Sequence, residues 1–173
     1  AMYKKVIITP HYINGTDYNV NNKDKYNLFI ELQKSIKELG IEMELYLGNE
    51  IYFTENMVKL LENGQAASIN NSRYVLFEFP LNTKPMNIYD VIYEVMQNNY
   101  IPILAHPERY SFVQKEPELI YDLIESGVLM QANYASIYGY YGEKAKIIVQ
   151  KFLENDYIHF LGSDVHKPNT IIA

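Results

Sequence analysis

Short apolar runs alternate with helical patterns along nearly the whole chain, and this alternation constrains the fold more than any other feature. The runs KKVIITP, EMELYLG, SRYVLFEF, YIPILA, VLMQAN and YIHFLGS have the length and character of strands. Between them, Phe29, Leu32, Ile36 and Leu39 mark one helix, Tyr89, Ile92, Tyr93 and Met96 a second, and Ala145, Ile148, Val149 and Phe152 another. A shorter helix opens with Pro117 in its first turn, ends at Gly127 and carries Leu119, Ile120, Leu123 and Ile124. One more is expected over 54–62, stopped by Asn63 and Gly64. Six strand–helix alternations predict α/β units around a parallel sheet. NGTDYNVNNKDKYN is the one long polar loop, and no linker or repeat interrupts the pattern, so a single domain over 1–173 is expected.

Composition narrows the functions. With 48% hydrophobic and 21% charged residues, 173 residues bury a core without staples. The net charge of −6 and the scattered lysines argue against a nucleic-acid partner, because phosphate binding relies on clustered Lys and Arg. Cysteine is absent, which excludes disulfides, thiolate zinc sites and a cysteine nucleophile. No apolar stretch approaches the ~20 residues of a membrane span, and AMYKKVII lacks a signal peptide's pattern. A cytoplasmic protein is the expectation.

Six chemically capable side chains fall at the carboxyl ends of five strand candidates. His11 follows VIITP, Glu50 follows LYLGN, Glu78 ends VLFE, His106 ends PILA, and Asp164 and His166 follow HFLGS. Strand carboxyl ends in a barrel or open parallel sheet point to one face, where α/β enzymes build their sites. A single His or Glu at a strand end is more often a cap or a loop hydrogen-bonder than a ligand; six at equivalent positions point to metal. The mixed N/O set without sulfur suits Zn, Mn or Fe and leans to the harder ions. A multinuclear centre of that kind clamps a phosphoryl group and activates water at neutral pH. His159 lies mid-strand, out of phase with Asp164, and reads as structural. The 17 tyrosines, including NYASIYGYYG, fit an aromatic surface or simply a biased composition.

ITPHY, LGNEIY, FEFP, ILAHPERY, MQANYASIYG and GSDVH occur in this order across the chain. Together they resemble the manganese-dependent protein-tyrosine phosphatases of the polymerase-and-histidinol-phosphatase (PHP) superfamily, enzymes of bacterial capsule and exopolysaccharide operons. The resemblance covers nearly the whole chain. It implies a distorted (β/α)7 TIM-like barrel with up to three Mn2+ ions, Fe or Zn being alternatives. By position, Glu50 resembles a carboxylate bridging two metals, Glu78 and His106 its companions at one of them, and Asp164 a ligand of the other. His11 and His166 resemble ligands of the third metal. Arg109 resembles the catalytic arginine that binds substrate phosphate, a role suited to its fork of donors; Glu108 reads as a brace of the loop. The implied substrate is a phosphotyrosine-bearing, capsule-regulating tyrosine kinase.

The pattern is also incomplete. Members of the family carry an HxH pair and a DDG segment ahead of the counterpart of His11, and a last helix with another arginine after the DVH motif. Ten residues precede His11, no HxH occurs, and the sequence ends at PNTIIA. The expectation is therefore a barrel missing its first βα unit, trimmed at both ends, with Glu50, Glu78 and His106 as the fullest ligand set and fewer than three ions. Uncovered edges and apolar faces would then favour self-association. Two other readings remain: a catalytically impaired fragment or binding module, and a histidinol-phosphatase-like small-molecule phosphoesterase.

Overall fold

The computed structural model describes residues 3–166. Its strands are β1 (Lys5–Ile8), β2 (His11–Tyr12), β3 (Glu44–Leu47), β4 (Glu50–Tyr52), β5 (Tyr74–Glu78), β6 (Ile101–Ala105), β7 (Leu129–Asn133) and β8 (Phe160–Gly162). The helices are α1 (Asn22–Glu38), α2 (Met57–Glu62), α3 (Ile88–Gln97), α4 (Glu118–Glu125), α5 (Tyr134–Ile137) and α6 (Glu143–Glu154). All pairings are parallel. β2-β4-β5-β6-β7-β8 form one sheet in that order, and β1 pairs with β3.

The two sheets share one register. Ile8 faces Leu47 and His11 faces Glu50, the same offset on both sides of the break. Pro10 lies at the break and has no N–H for a ladder. Around it Gly48 N–H donates to Ile8 O and Glu50 N–H to Pro10 O. KKVIITP and EMELYLG are thus each the first part of a longer, interrupted strand, and His11 and Glu50 sit inside that ladder rather than beyond it.

Strand order that simply follows chain order, in parallel, is the order of a barrel rather than of a doubly wound sheet. Among the described residues, however, nothing pairs β8 with β1 or β2, so the sheet is open. Apolar residues of α2, α3, α4 and α6 pack with Val75, Phe77, Leu104 and Met130 in the main core. The opposite face holds a small cluster of Leu76, Ile103 and Ala105, with Ile69 and Leu129 against it.

The α6 stripe is buried as its spacing predicts, and so are Leu119, Ile120 and Leu123 of α4. On α3 the buried face is Ile88, Val91, Ile92 and Val95, one residue away from the expected stripe; Tyr89 and Tyr93 point outward, where their hydroxyls stay wet. α1 begins inside the predicted loop, because Asn21 accepts the Asp24 N–H at 3.0 Å and caps the helix. Its expected stripe is only partly covered: Phe29 and Ile36 are half-buried, while Leu32 and Leu39 are exposed. Leu28, Phe29 and Leu32 instead line an open groove of about 1010 Å³ that runs past Val6, Ile8 and Leu161 to the strand ends. No helix among the described residues is long and apolar enough to cross a membrane. PNTIIA lies outside the described residues.

Candidate metal centre

Register brings the candidates to one face. His11 is opposite Glu50, Glu50 opposite Leu76, and Leu76 is two residues from Glu78, so all lie on the side away from the main core. Ala105 and Gln131 continue that row across β6 and β7. His106 follows directly, held with φ 37° in the left-handed region by its own N–H donating to Gln131 O at 2.6 Å. Asp164, after β8, is left-handed too, with φ 48°. Two of the six candidate positions thus hold left-handed backbone.

The donor atoms crowd together. His11 Nδ1 lies 2.9 Å from Glu78 Oε1 and 3.3 Å from Glu50 Oε2; His106 Nε2 lies 3.2 Å from Glu50 Oε1 and 3.5 Å from Glu78 Oε2. One ligand atom each from His11, Glu50 and Glu78 lies within 4.8 Å of the others. His11 Nδ1 is buried yet not aligned for a hydrogen bond with either carboxylate. A buried imidazole nitrogen left without an aligned hydrogen bond beside two carboxylates suits a cation, and neutral imidazole with two carboxylates is a donor set for Mn, Fe or Zn.

Without an ion the same atoms form ion pairs. Burial opposes the charged form of His106, but Glu50 and Glu78 outweigh it and hold its pKa up at about 9. For Glu78, burial favours the neutral acid, and the two histidines overcome this and bring it down to about 2. His11 is raised chiefly by Glu78, against its own burial. Ion binding must displace these protons.

Asp164 and His166 lie beside this cluster. His11 Nε2 is 2.9 Å from His166 Nε2, so the His11 ring links the Glu50–Glu78 cluster to His166. Asp164 Oδ2 accepts from Arg109 Nη1 and from Asn133 Nδ2, both at 2.7 Å, and His166 Nδ1 is 3.4 Å from Oδ1. The Arg109 guanidinium also lies 4.2 Å from the Tyr141 ring centroid, a cation–π contact. The arginine is therefore gripped from two sides.

Behind these groups lies a buried scaffold. Glu108 is fully buried; its Oε1 accepts the Asn133 N–H at 3.0 Å and the Ser136 hydroxyl at 2.5 Å, bracing the loop. Desolvation raises its pKa. Tyr110, also fully buried, donates to Ala105 O at 2.7 Å and accepts from Phe79 N–H at 3.0 Å. It rivets the residue after Glu78 to the residue before His106. His159 lies one residue before β8 rather than mid-strand; its N–H donates to Met130 O at 2.9 Å and its Nδ1 accepts the Met130 N–H at 3.1 Å, a structural contact.

Sequence reasoning passed over Asn133, although it ends VLMQAN at the same strand-end position as the six candidates. Tyr110 was within view in AHPERY, but nothing local shows what its hydroxyl reaches.

The family model described as capsular polysaccharide synthesis, CpsB/CapC, matches residues 2–171. The chain belongs to the CpsB/CapC family. CapC of Staphylococcus aureus is 34% identical over 162 residues, covering 93% of this chain and 63% of CapC. The tyrosine-protein phosphatase YwqE of Bacillus subtilis is 30% identical over 167 residues, covering 96% of this chain and 65% of YwqE. Among solved structures, one from work on YwqE of Bacillus subtilis and CpsB of Streptococcus pneumoniae, described as metal-dependent tyrosine phosphatases, aligns with TM-score 0.90 at 30% identity, over 96% of this chain and 67% of that one. The chain spans less than two thirds of the length of CapC and of YwqE.

Proposed function

We propose that this CpsB/CapC-family chain is the metal-dependent part of a phosphotyrosine phosphatase that uses Mn2+ and acts in the cytoplasm on a capsule-regulating tyrosine kinase. The observation that carries the reading is the convergence of His11, Glu50 and Glu78 on one point, with His106 against the same two carboxylates. Asp164 and His166, joined to His11 through its second nitrogen, are the candidates for a further ion. We read the sequentially ordered sheet as a PHP-type barrel left open, and 1–173 as one domain. Its open apolar groove also favours self-association.

Bound metal would polarise the phosphoryl group and lower the pKa of the attacking water. The chain's own residues would do the rest. Arg109 would exchange Asp164 for two non-bridging phosphate oxygens, with Tyr141 keeping the guanidinium over the site. Asn133 would hold Asp164 in place when the arginine leaves. The P–O bond to the tyrosyl oxygen breaks as the bond from water forms, and the phenolate takes up a proton. The long, open groove favours a peptide over a small phosphate ester.

The test is phosphate release from a phosphotyrosyl peptide with Mn2+ and with EDTA, beside histidinol phosphate. Release from the peptide that needs Mn2+ supports the proposal. Faster turnover of histidinol phosphate would transfer the assignment to a small-molecule phosphoesterase, and no turnover of either would mark a binding module.

A further inference from the structure

Lys25 is the one buried lysine among the described residues, and it has no carboxylate partner there. Its ammonium reaches only the side-chain oxygen of Asn49, and burial lowers its pKa to about 8. Burying a cation against a neutral amide is costly, and a Met of similar length would fill the space. The amide it holds is itself buried, 2% exposed, and hydrogen-bonded at both its oxygen and its nitrogen. Asn49 Oδ1 accepts the Ala67 N–H at 3.0 Å as well as Lys25, its Nδ2 donates to Pro10 O at 2.9 Å, and its own N–H donates to Ala67 O at 3.1 Å.

Three segments meet at this amide: α1 through Lys25, the loop after α2 through Ala67, and the break between β1 and β2 through Pro10. Pro10 immediately precedes His11, and Asn49 immediately precedes Glu50. Both donors, Lys25 and Ala67 N–H, lie on the oxygen side, so they fix the amide's orientation and direct Nδ2 to Pro10. Where the strand ladder is interrupted, this contact reinforces the Glu50 N–H bond to the same Pro10 carbonyl.

We infer that Lys25 and Asn49 are positioning residues that set the spacing of His11 and Glu50, so that helix α1 governs the cluster's affinity for a divalent cation. The inference rests on reading His11, Glu50 and Glu78 as an ion site. The experiment is Mn2+ titration of the chain, with free Mn2+ followed by electron paramagnetic resonance, for the unaltered protein, Lys25→Met and the exposed control Lys34→Met. Lys25→Met should weaken Mn2+ binding by about tenfold, the lower end for residues supporting metal ligands, with Lys34→Met unchanged. A Lys25→Met protein that melts lower but binds Mn2+ within about twofold of the unaltered chain would show that the contact only stabilises the fold, and overturns the inference. No Mn2+ binding by the unaltered chain would instead refute the ion site on which it rests. If Lys25→Met does not fold, reciprocity supplies a test on the unaltered chain. Mn2+ should then slow hydrogen exchange across 64–68, which contains the Ala67 amide bonded to Asn49; unchanged exchange with Mn2+ bound overturns the inference.

Discussion

Replacing Tyr110 by Phe removes one oxygen and leaves the ring in place, so its effect isolates the rivet beneath the candidate metal centre. The ring keeps its contacts with Phe79, Phe112 and His106, at centroid distances of 5.5, 5.4 and 5.4 Å. The Phe79 N–H loses the hydroxyl that accepts it, and the Ala105 carbonyl loses a donor, in a region where Tyr110, Phe79 and Ala105 are all fully buried. Water cannot replace the hydroxyl without a cavity to occupy. A buried backbone group left unpaired costs about 1–3 kcal/mol. The carbonyl can use its second lone pair, so the N–H dominates and the expected loss is about 2–3 kcal/mol. For a chain of this size that corresponds to a fall in Tm of roughly 4–12 °C. Urea denaturation of both proteins under identical conditions measures it directly. Because Phe79 follows Glu78 and Ala105 precedes His106, Mn2+ affinity should fall as well. A stability change below about 0.5 kcal/mol, the scale of an ordinary surface substitution, would show that the hydroxyl does not hold these two backbone groups.

Two further outcomes follow from the same geometry. In EDTA, the raised His106 contributes stability that is complete below its ordinary pKa of 6.5 and is lost as pH rises through about 9. The depressed Glu78 contributes stability that is complete above 4.5 and is lost as pH falls through about 2. Buried Lys25, with its pKa lowered to about 8, gains stability over part of the same pH rise and opposes this loss, so the decisive comparison is with a variant. The change in urea midpoint from pH 5.5 to 9.5 should be less unfavourable in His106→Gln than in the unaltered chain, and an identical change in both would contradict the ion pairs. Arg109→Ala should leave Mn2+ stoichiometry unchanged, lower phosphotyrosyl hydrolysis by a factor of ~100, and weaken inhibition by inorganic phosphate. Lower stability with normal phosphate inhibition would make the Asp164 pair purely structural.

The sequence carries most of what depends on neighbours along the chain and little of what depends on neighbours across it. The α6 stripe and the six strand runs are legible because apolar spacing reports burial directly. The α3 face is shifted by one because tyrosine counts as apolar in a pattern yet keeps its hydroxyl in water. That the strand-end candidates share one face was legible once strand order was assumed, since register in a parallel sheet fixes side. Their grouping was not, because the resemblance set Glu50 and Glu78 with His106 and placed His11 at another ion, while in the structure a His11 nitrogen gathers with both carboxylates. The partner of Arg109 could not: Asp164 lies 55 residues further on, while the local carboxylate Glu108 turns inward to Asn133 and Ser136. The Lys25–Asn49 contact is equally silent in sequence, because neither residue type announces burial. The Leu32 and Leu39 positions of α1 are apolar at helical spacing and still exposed. Periodicity shows which face seeks cover, not whether cover is present.

Whether His11, Glu50 and Glu78 share one cation is decided by anomalous diffraction from crystals equilibrated with Mn2+. A shared ion would give an anomalous peak within coordinating distance of His11 Nδ1 and of a carboxylate oxygen of both Glu50 and Glu78, lost in Glu50→Gln. Crystals with Mn2+ bound elsewhere, or with no peak and the histidines still paired to the two carboxylates, would contradict it.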